Sequence, residues 1–197
     1  VQALREADFE VSSDPKLQGR GLVEALAMLQ PVVLIVRSTK VHAEHINAGT
    51  ALQLVVRAGA GTNNIDLAAA SARAISVANC PGMNAAAVAE LAMGHILNAD
   101  RRIADGLVAS RNGVWQKKGL GGAQGLQGRR LGVVGCGATG RALIQRAQAF
   151  GLRVSAVSPD LDEQRAQAMG ITHYDNIEAL AANSDILSVH VALTPST

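Results

Sequence analysis

Residues 131–160 read LGVVGCGATGRALIQRAQAFGLRVSAVSPD, and no other stretch of the 197-residue chain limits its fold so tightly. An apolar run ends in three glycines spaced G-x-G-x-x-G: Gly135, Gly137 and Gly140. An amphipathic stretch follows, stops at Gly151 and gives way to a second apolar run. A strand, a tight turn, a helix and a second parallel strand suit this order, because the apolar pattern changes from continuous to helical and back. Gly135 would leave the strand sharply, Gly137 would let a pyrophosphate approach the main chain, and Gly140 would let helix and strand pack closely. Unobstructed amides at the positive end of a helix dipole form an anion site. The pattern in this context predicts dinucleotide binding rather than a purely structural turn. At the end of the second run Ser158 stands where an acidic residue usually accepts hydrogen bonds from ribose hydroxyls. Serine neither repels a 2′-phosphate nor attracts one. NAD is therefore the expected cofactor and NADP stays open as the alternative, with Arg153 and Arg165 the cations nearest in sequence.

Upstream, PVVLIVRSTK (31–40), LQLVVRAGAGTNNID (52–66) and AISVANCPGMN (74–84) each read as a buried strand that ends in a polar or glycine-rich loop. Open α/β sheets bind ligands at that end of their strands. Between these runs, TKVHAEHINAG and NIDLAAASARA have helical spacing. The stretch 84–113 reads as one long helix, with Asn84 as its N-cap and Asn112-Gly113 as its stop. Its almost wholly apolar first half predicts burial between layers or at an interface. Residues 117–128 read as a loop. Beyond the glycine turn the pattern gives a helix over 160–169, a strand over 171–174, a helix over 176–182 and a strand over 185–191.

The fold class is thus α/β: a Rossmann-type parallel sheet and a smaller flavodoxin-like α/β domain. The expected division is residues 1–81, a partial substrate-binding domain, and 82–197, a partial dinucleotide-binding domain. The chain opens without an obvious first strand, and a sheet of this kind normally continues past Val191, so the sequence reads as a fragment. Composition agrees with the class. Apolar residues make up 48% but aromatics only 2%, so the core is built from Ala, Val, Leu and Ile, as in helices packed on parallel strands. Eighteen basic and sixteen acidic residues leave a net charge of +2 without a basic run longer than a pair, which argues against nucleic acid as a partner. No apolar segment reaches the roughly 18 residues of a membrane span, so no membrane partner and a cytoplasmic location are expected. Cys80 and Cys136 lack metal-ligand spacing and read as buried, reduced thiols.

Taken together, VRSTKV, LQLVVRAGAGTNNIDL, NCPGMNAAAVAELAMG, NGVW, the glycine turn and SDILSVHVALTPST resemble the D-2-hydroxyacid dehydrogenases over about residues 31–197. The likeness is strongest to the branch acting on 3-phosphoglycerate. The resemblance implies an NAD(P)-linked interconversion of a D-2-hydroxy acid and its 2-oxo acid in a cleft between two domains. The most specific form is 3-phosphoglycerate to 3-phosphohydroxypyruvate, in serine biosynthesis. It also implies residue roles: Arg37 and Arg57 on the substrate phosphate, and backbone around Gly59 and Ala60 facing the carboxylate, with Ala60 toward the nicotinamide. Gly135, Gly137, Ala138, Thr139 and Gly140 would lie on the pyrophosphate, Ser158 on the ribose, and the backbone at His190 and Val191 beside the adenosine. Ala138-Thr139 departs from the Arg-Ile usual in the family. The family's catalytic arginine, glutamate and histidine follow the LTPST segment, so no catalytic residue is expected within these 197. His190, His42, His45, His95 and His173 read as structural or surface residues, and Lys117-Lys118 as an exposed loop pair. A homodimer, or a higher oligomer, through the helix from residue 84 is the expected assembly. Alternatives are a glyoxylate or hydroxypyruvate reductase, and a corepressor on the same fold that senses nicotinamide cofactors.

Overall fold

Two separate parallel sheets organise the chain in a computed structural model that describes residues 1–115, 118–119, 121–192 and 197. They belong to two units, Val1–Pro81 and Gly82–Thr197. The first unit runs α1 (Gln2–Glu6), α2 (Gly19–Leu29), β1 (Val33–Val36), α3 (Ala43–Ala48), β2 (Leu54–Arg57), α4 (Leu67–Ala72) and β3 (Ser76–Ala78). The strands pair in the order β1-β2-β3, with Val36 opposite Arg57 and Val55 opposite Val77. Val36, Val41, Ile46, Leu52, Val55, Ile65, Ala70 and Ile75 form its core. Asp66 starts α4 by accepting the Ala69 amide at 2.9 Å, one of the orphan donors at a helix head. Arg73 donates to the carbonyls of Ile46, Gly49 and Thr50 and so finishes α3, whose last carbonyls have no helical partner.

Only β2 approaches the burial expected of all three strands. β1 and β3 are the two edges of the sheet, Val33 and Ile35 of β1 are exposed, and so are Ser76 and Ala78 of β3. The apolar run 32–36 specifies extended structure but not a covering layer on both faces. The sequence reading also passed over α2. Leu22 and Leu26, one helical turn apart, are its buried residues, and Gln30 ends it in a left-handed conformation at φ 45°.

The second unit runs α5 (Ala85–Arg101), α6 (Ile103–Arg111), β4 (Arg130–Val134), α7 (Ala138–Ala149), β5 (Arg153–Val157), α8 (Glu163–Ala168), β6 (Thr172–His173), α9 (Ile177–Ala182) and β7 (Ile186–Val189). Its strand order is β6-β5-β4-β7, all parallel. Leu131 and Val133 of β4, Leu143, Ile144 and Ala147 of α7, and Ala89, Met93 and Ile96 of α5 share one core. Each fully buried Leu, Ile or Val contributes about 1.5–3 kcal/mol, which fixes α7 against the sheet. Asp100 of α5, with its side chain 5% exposed, pairs with Arg129 at 2.9 Å and accepts the Gly125 amide at 3.0 Å. That anchors the segment leading into β4.

The single helix expected over 84–113 is two. Arg102 takes left-handed angles, φ 51° and ψ 44°, between α5 and α6, and Asn98 Oδ1 accepts the Ala104 amide at 2.8 Å, replacing a bond the break removes. Asn84 does not cap through its side chain; its carbonyl accepts from Val88 N at 3.0 Å. Cys136 is buried as expected, whereas Cys80 is only half-buried.

Candidate functional site

β4 is a central strand, buried from Leu131 to Val134, and it delivers the chain to the glycine turn. From β4 the chain proceeds through β5 to β6 on one side, then returns to add β7 on the other. The carboxyl ends of β4 and β7 therefore form the topological switch point at which open α/β sheets take ligands. Gly135 has φ 96°, an angle that side chains disfavour, and a Cβ there would lie 3.0 Å from the backbone of His190. At Gly140 a Cβ would stand 2.0 Å from the Gly135 carbonyl oxygen, so α7 meets the turn at a distance that only glycine allows. Gly137, by contrast, is exposed with φ −65°, and a Cβ on it would meet nothing within 4 Å. Its empty side faces space that a ligand can take. Ala138 is exposed, Thr139 is half-buried, and both lie in the first turn of α7, where amides have no helical acceptor.

These features fit a dinucleotide: an open cradle at Gly137, free amides at the head of a twelve-residue helix, and a dipole whose positive end faces the same point. Arg141 NH1 donates to the Cys136 carbonyl at 2.9 Å beside them. Burial pushes the Cys136 thiol up from its ordinary range, and the Arg141 charge draws it partly back. His190 donates its backbone N–H to Val134 O at 2.7 Å, and its ring Nε2 lies 2.9 Å from Ser188 Oγ. Partial burial shifts that imidazole toward its neutral form.

Ser158 is the half-buried residue that follows β5, and a turn closed by Leu161 N to Ser158 O at 3.0 Å comes next. Of the two cations nearest in sequence, only Arg165 lies on the Ser158 side, in the first turn of α8, which follows this loop. Its NH1 donates to the Asp160 carbonyl and its Nε lies 3.6 Å from Asp162 Oδ2. Arg153 opens β5 at the opposite end of the strand and donates to Gly128 O at 2.9 Å, which removes it from Ser158.

In the first unit, Arg37 directly follows β1 and Arg57 ends β2, so both stand at carboxyl ends of parallel strands. Arg57 Nε donates to Arg37 O at 3.1 Å. Its guanidinium lies over Gly59, where a Cβ would come within 2.6 Å of NH1. Among the described residues neither arginine pairs with a carboxylate. Two contacts hold the loop at Gly59 and Ala60: Cys80 N to Gly59 O at 2.9 Å and Asn79 Nδ2 to Ala60 O at 2.6 Å. Asn79 and Asn64, which bonds Thr39 O at 2.7 Å, are supports that sequence reading passed over. Asparagines in loops are too common for sequence alone to separate a strut from a solvated residue.

The other histidines do not assemble a site. His45 is buried, accepts the His42 amide on Nδ1 at 2.9 Å and reaches Gly19 O with Nε2 at 3.1 Å, a packing role. His42 and His95 are exposed, and His173 lies about 4 Å from Glu163 and Asp175. Lys118 is exposed, while Lys117 lies outside the described residues. Among the described residues no helix is long and apolar enough to cross a membrane, and no three metal-binding side chains gather.

Residues 93–197 match the family model described as D-isomer specific 2-hydroxyacid dehydrogenase, NAD binding domain. The chain is 39% identical over 166 residues to a D-3-phosphoglycerate dehydrogenase of Methanocaldococcus jannaschii, covering 84% of this chain and 32% of the relative. It is 43% identical over 166 residues to a hydroxypyruvate reductase of Thermotoga maritima, covering 84% and 53%. It is also similar to the crystal structure of cofactor (NAD+) bound 3-phosphoglycerate dehydrogenase in Entamoeba histolytica. That match has a TM-score of 0.80 and 28% identity, and covers 100% of this chain and 58% of the other. The chain thus spans about a third to a half of the length of these curated relatives.

Proposed function

Since this chain belongs to the D-isomer specific 2-hydroxyacid dehydrogenase family, we propose that it forms the NAD-binding part and some of the substrate-binding part of an enzyme interconverting a D-2-hydroxy acid and its 2-oxo acid. The observation that carries the proposal is the β4–α7 turn, with Gly137 open to solvent and Gly140 pressed on the Gly135 carbonyl. Gly135, Gly137, Ala138, Thr139 and Gly140 hold the diphosphate, Ser158 the adenosine ribose, and the backbone of His190 and Val191 flanks the adenosine. When bound, the nicotinamide supplies the hydride acceptor or donor. The residues of this chain position it and hold the acid, while the proton transfer is assigned to none of them.

Two observations bear on the ligands. Arg165, in the first turn of α8 after the Ser158 loop, bonds the Asp160 carbonyl and pairs with Asp162, and the acidic Asp160, Asp162 and Glu163 lie in the same stretch. The balance of charge there disfavours a 2′-phosphate, which supports NAD over NADP. Arg37 and Arg57, without carboxylate partners among the described residues, suit an anionic substrate, and a phosphate doubly so, because guanidinium groups bond phosphate bidentately. That supports 3-phosphoglycerate and 3-phosphohydroxypyruvate, with a biosynthetic role in serine formation. The likeness to a hydroxypyruvate reductase favours hydroxypyruvate as the second reading. Ile103, Leu107 and Val108 of α6 and Leu91 of α5 are exposed, an apolar surface suited to a second copy of the chain.

The experiment is titration of the intact protein with NADH and NADPH, followed by NADH oxidation with 3-phosphohydroxypyruvate, hydroxypyruvate and glyoxylate. Micromolar NADH binding, on the order of −8 kcal/mol, with weaker NADPH binding and turnover of a 2-oxo acid, is expected. Binding without turnover of any of the three acids would remove the enzyme reading and leave a cofactor-sensing protein.

A further inference from the structure

We propose that Arg141 binds the cofactor's diphosphate, a guanidinium reaching back along α7 to the Cys136 carbonyl at the edge of the glycine turn. The inference deepens the reading of the turn given above and rests on it. The first turn of α7 offers Ala138 and Thr139 where a long basic side chain could have stood, so the main chain alone would face two negative charges. Arg141 is the one Lys or Arg between Arg130 and Arg146.

Its geometry is that of a tethered donor. Side chains on a helix lean toward its N-terminus, and from the fourth position of α7 that lean carries Arg141 to the glycine turn. There NH1 donates to the Cys136 carbonyl at 2.9 Å. The carbonyl fixes one nitrogen of the planar fork, and Arg141 is otherwise exposed, with no carboxylate partner among the described residues. A guanidinium carries five N–H donors, so most of this one stays available to an anion.

Its neighbours differ in this respect. Arg146 bonds Ala142 O and pairs with Glu90 at 3.0 Å, Arg130 pairs with Asp185 at 2.7 Å, and Arg129 pairs with Asp100. Those three are structural ion pairs, whereas Arg141 has no carboxylate partner among the described residues and is bonded to the Cys136 carbonyl of the glycine turn. Burial raises the Cys136 thiol, and the nearby Arg141 charge opposes that rise, as expected of a guanidinium bonded to the Cys136 carbonyl. A charge-assisted bond to a phosphate oxygen is about twice as strong as a neutral one, so this side chain adds to the helix dipole rather than duplicating it.

The test compares the intact wild-type protein with Arg141→Gln and Arg141→Lys, using NADH and ADP-ribose as probes in titrations at rising NaCl. Arg141→Gln should weaken both probes about 10- to 100-fold, and Arg141→Lys should recover part of the loss. The fall of affinity with salt should be less steep in Arg141→Gln than in wild type, since one charge contact is gone. Thermal midpoints should stay close to wild type, because the bond removed is one partly exposed contact. Unchanged affinity in Arg141→Gln, or a loss with the wild-type salt slope, overturns the role of Arg141 while leaving the turn's function standing. Failure of the wild-type protein to bind either probe overturns both.

Discussion

The glycine turn after β4 and the arginine pair after β1 and β2 are the two regions proposed to receive anions, and they are made of different parts. The turn offers main-chain amides, and its side chains matter by being absent: Gly137 faces open space and Gly140 cannot carry a Cβ. The pair offers side chains on a plain scaffold, with Arg57 draped over Gly59 and bonded to Arg37 O. A main-chain receptor is fixed by the fold itself, so its sequence signature is steric and spaced. A side-chain receptor leaves no such spacing, and any strand end can carry an arginine.

The comparison breaks most readily at the glycines. Gly140→Ala should cost about 3 kcal/mol or more in urea denaturation, because the new Cβ would lie 2.0 Å from the Gly135 carbonyl and neither backbone can yield cheaply. Gly137→Ala, at φ −65° in open space, should leave stability within about 0.5 kcal/mol while weakening NADH about tenfold or more, a change of about 1.4 kcal/mol. If Gly137→Ala bound NADH as wild type does, the open face would not be where the diphosphate lies. The turn would then be structural at both positions.

The arginine pair gives the next largest effect and sharpens the contrast from the other side. Arg57→Ala should raise KM for 3-phosphohydroxypyruvate about 10- to 100-fold, the equivalent of a charged hydrogen bond of about 1.5–3 kcal/mol. It should change KM for glyoxylate far less and leave NADH affinity unaltered. Equal effects on the two acids would remove the phosphate role and favour hydroxypyruvate.

How much the sequence disclosed follows the same division. The β4–α7–β5 unit is legible residue by residue, because each glycine answers a separate steric demand and Gly151 marks the helix stop at φ 76°. The exposure of Val33 and Ile35 was not legible, since VVLIV specifies extended backbone and says nothing of what covers it. Nor was the break at Arg102: helical spacing runs on through 84–113, and a left-handed arginine has no sequence signal. Arg153 looked close to Ser158 because it is five residues away. Along a strand that separation is about 16 Å, so Arg153 sits at the wrong end of the sheet. The arginine pair needed the family resemblance, since Arg37 and Arg57 stand in different segments that only the parallel pairing of Val36 with Arg57 brings side by side.

The smallest effect lies at the opposite end of β4 from the turn, and it tests whether the two ends of that strand act independently. Asp185 accepts Arg130 N at 2.9 Å and Nε at 3.3 Å, and pairs with NH2 at 2.7 Å, tying β7 to the start of β4. The side-chain and backbone hydrogen bonds from Arg130 bring the Asp185 carboxyl from 3.8 down to about 2. A carboxyl depressed by folding stabilises the fold above its unfolded value and loses that contribution as pH falls toward its folded one. The stabilisation should therefore be complete above the range of 3.8 and should fade by about 2. The pair is largely solvated, so the effect on melting temperature should be modest. Asp185→Asn should melt below wild type at neutral pH, and the two curves should converge as pH approaches 2. A gap that persisted there would mean that the hydrogen-bond geometry, not the charge, holds the edge strand. NADH affinity of Asp185→Asn at neutral pH should match wild type. A loss would show that the seating of β7 against β4 also sets His190 against Gly135, making the main-chain receptor depend on a side-chain contact at the far end of its own strand.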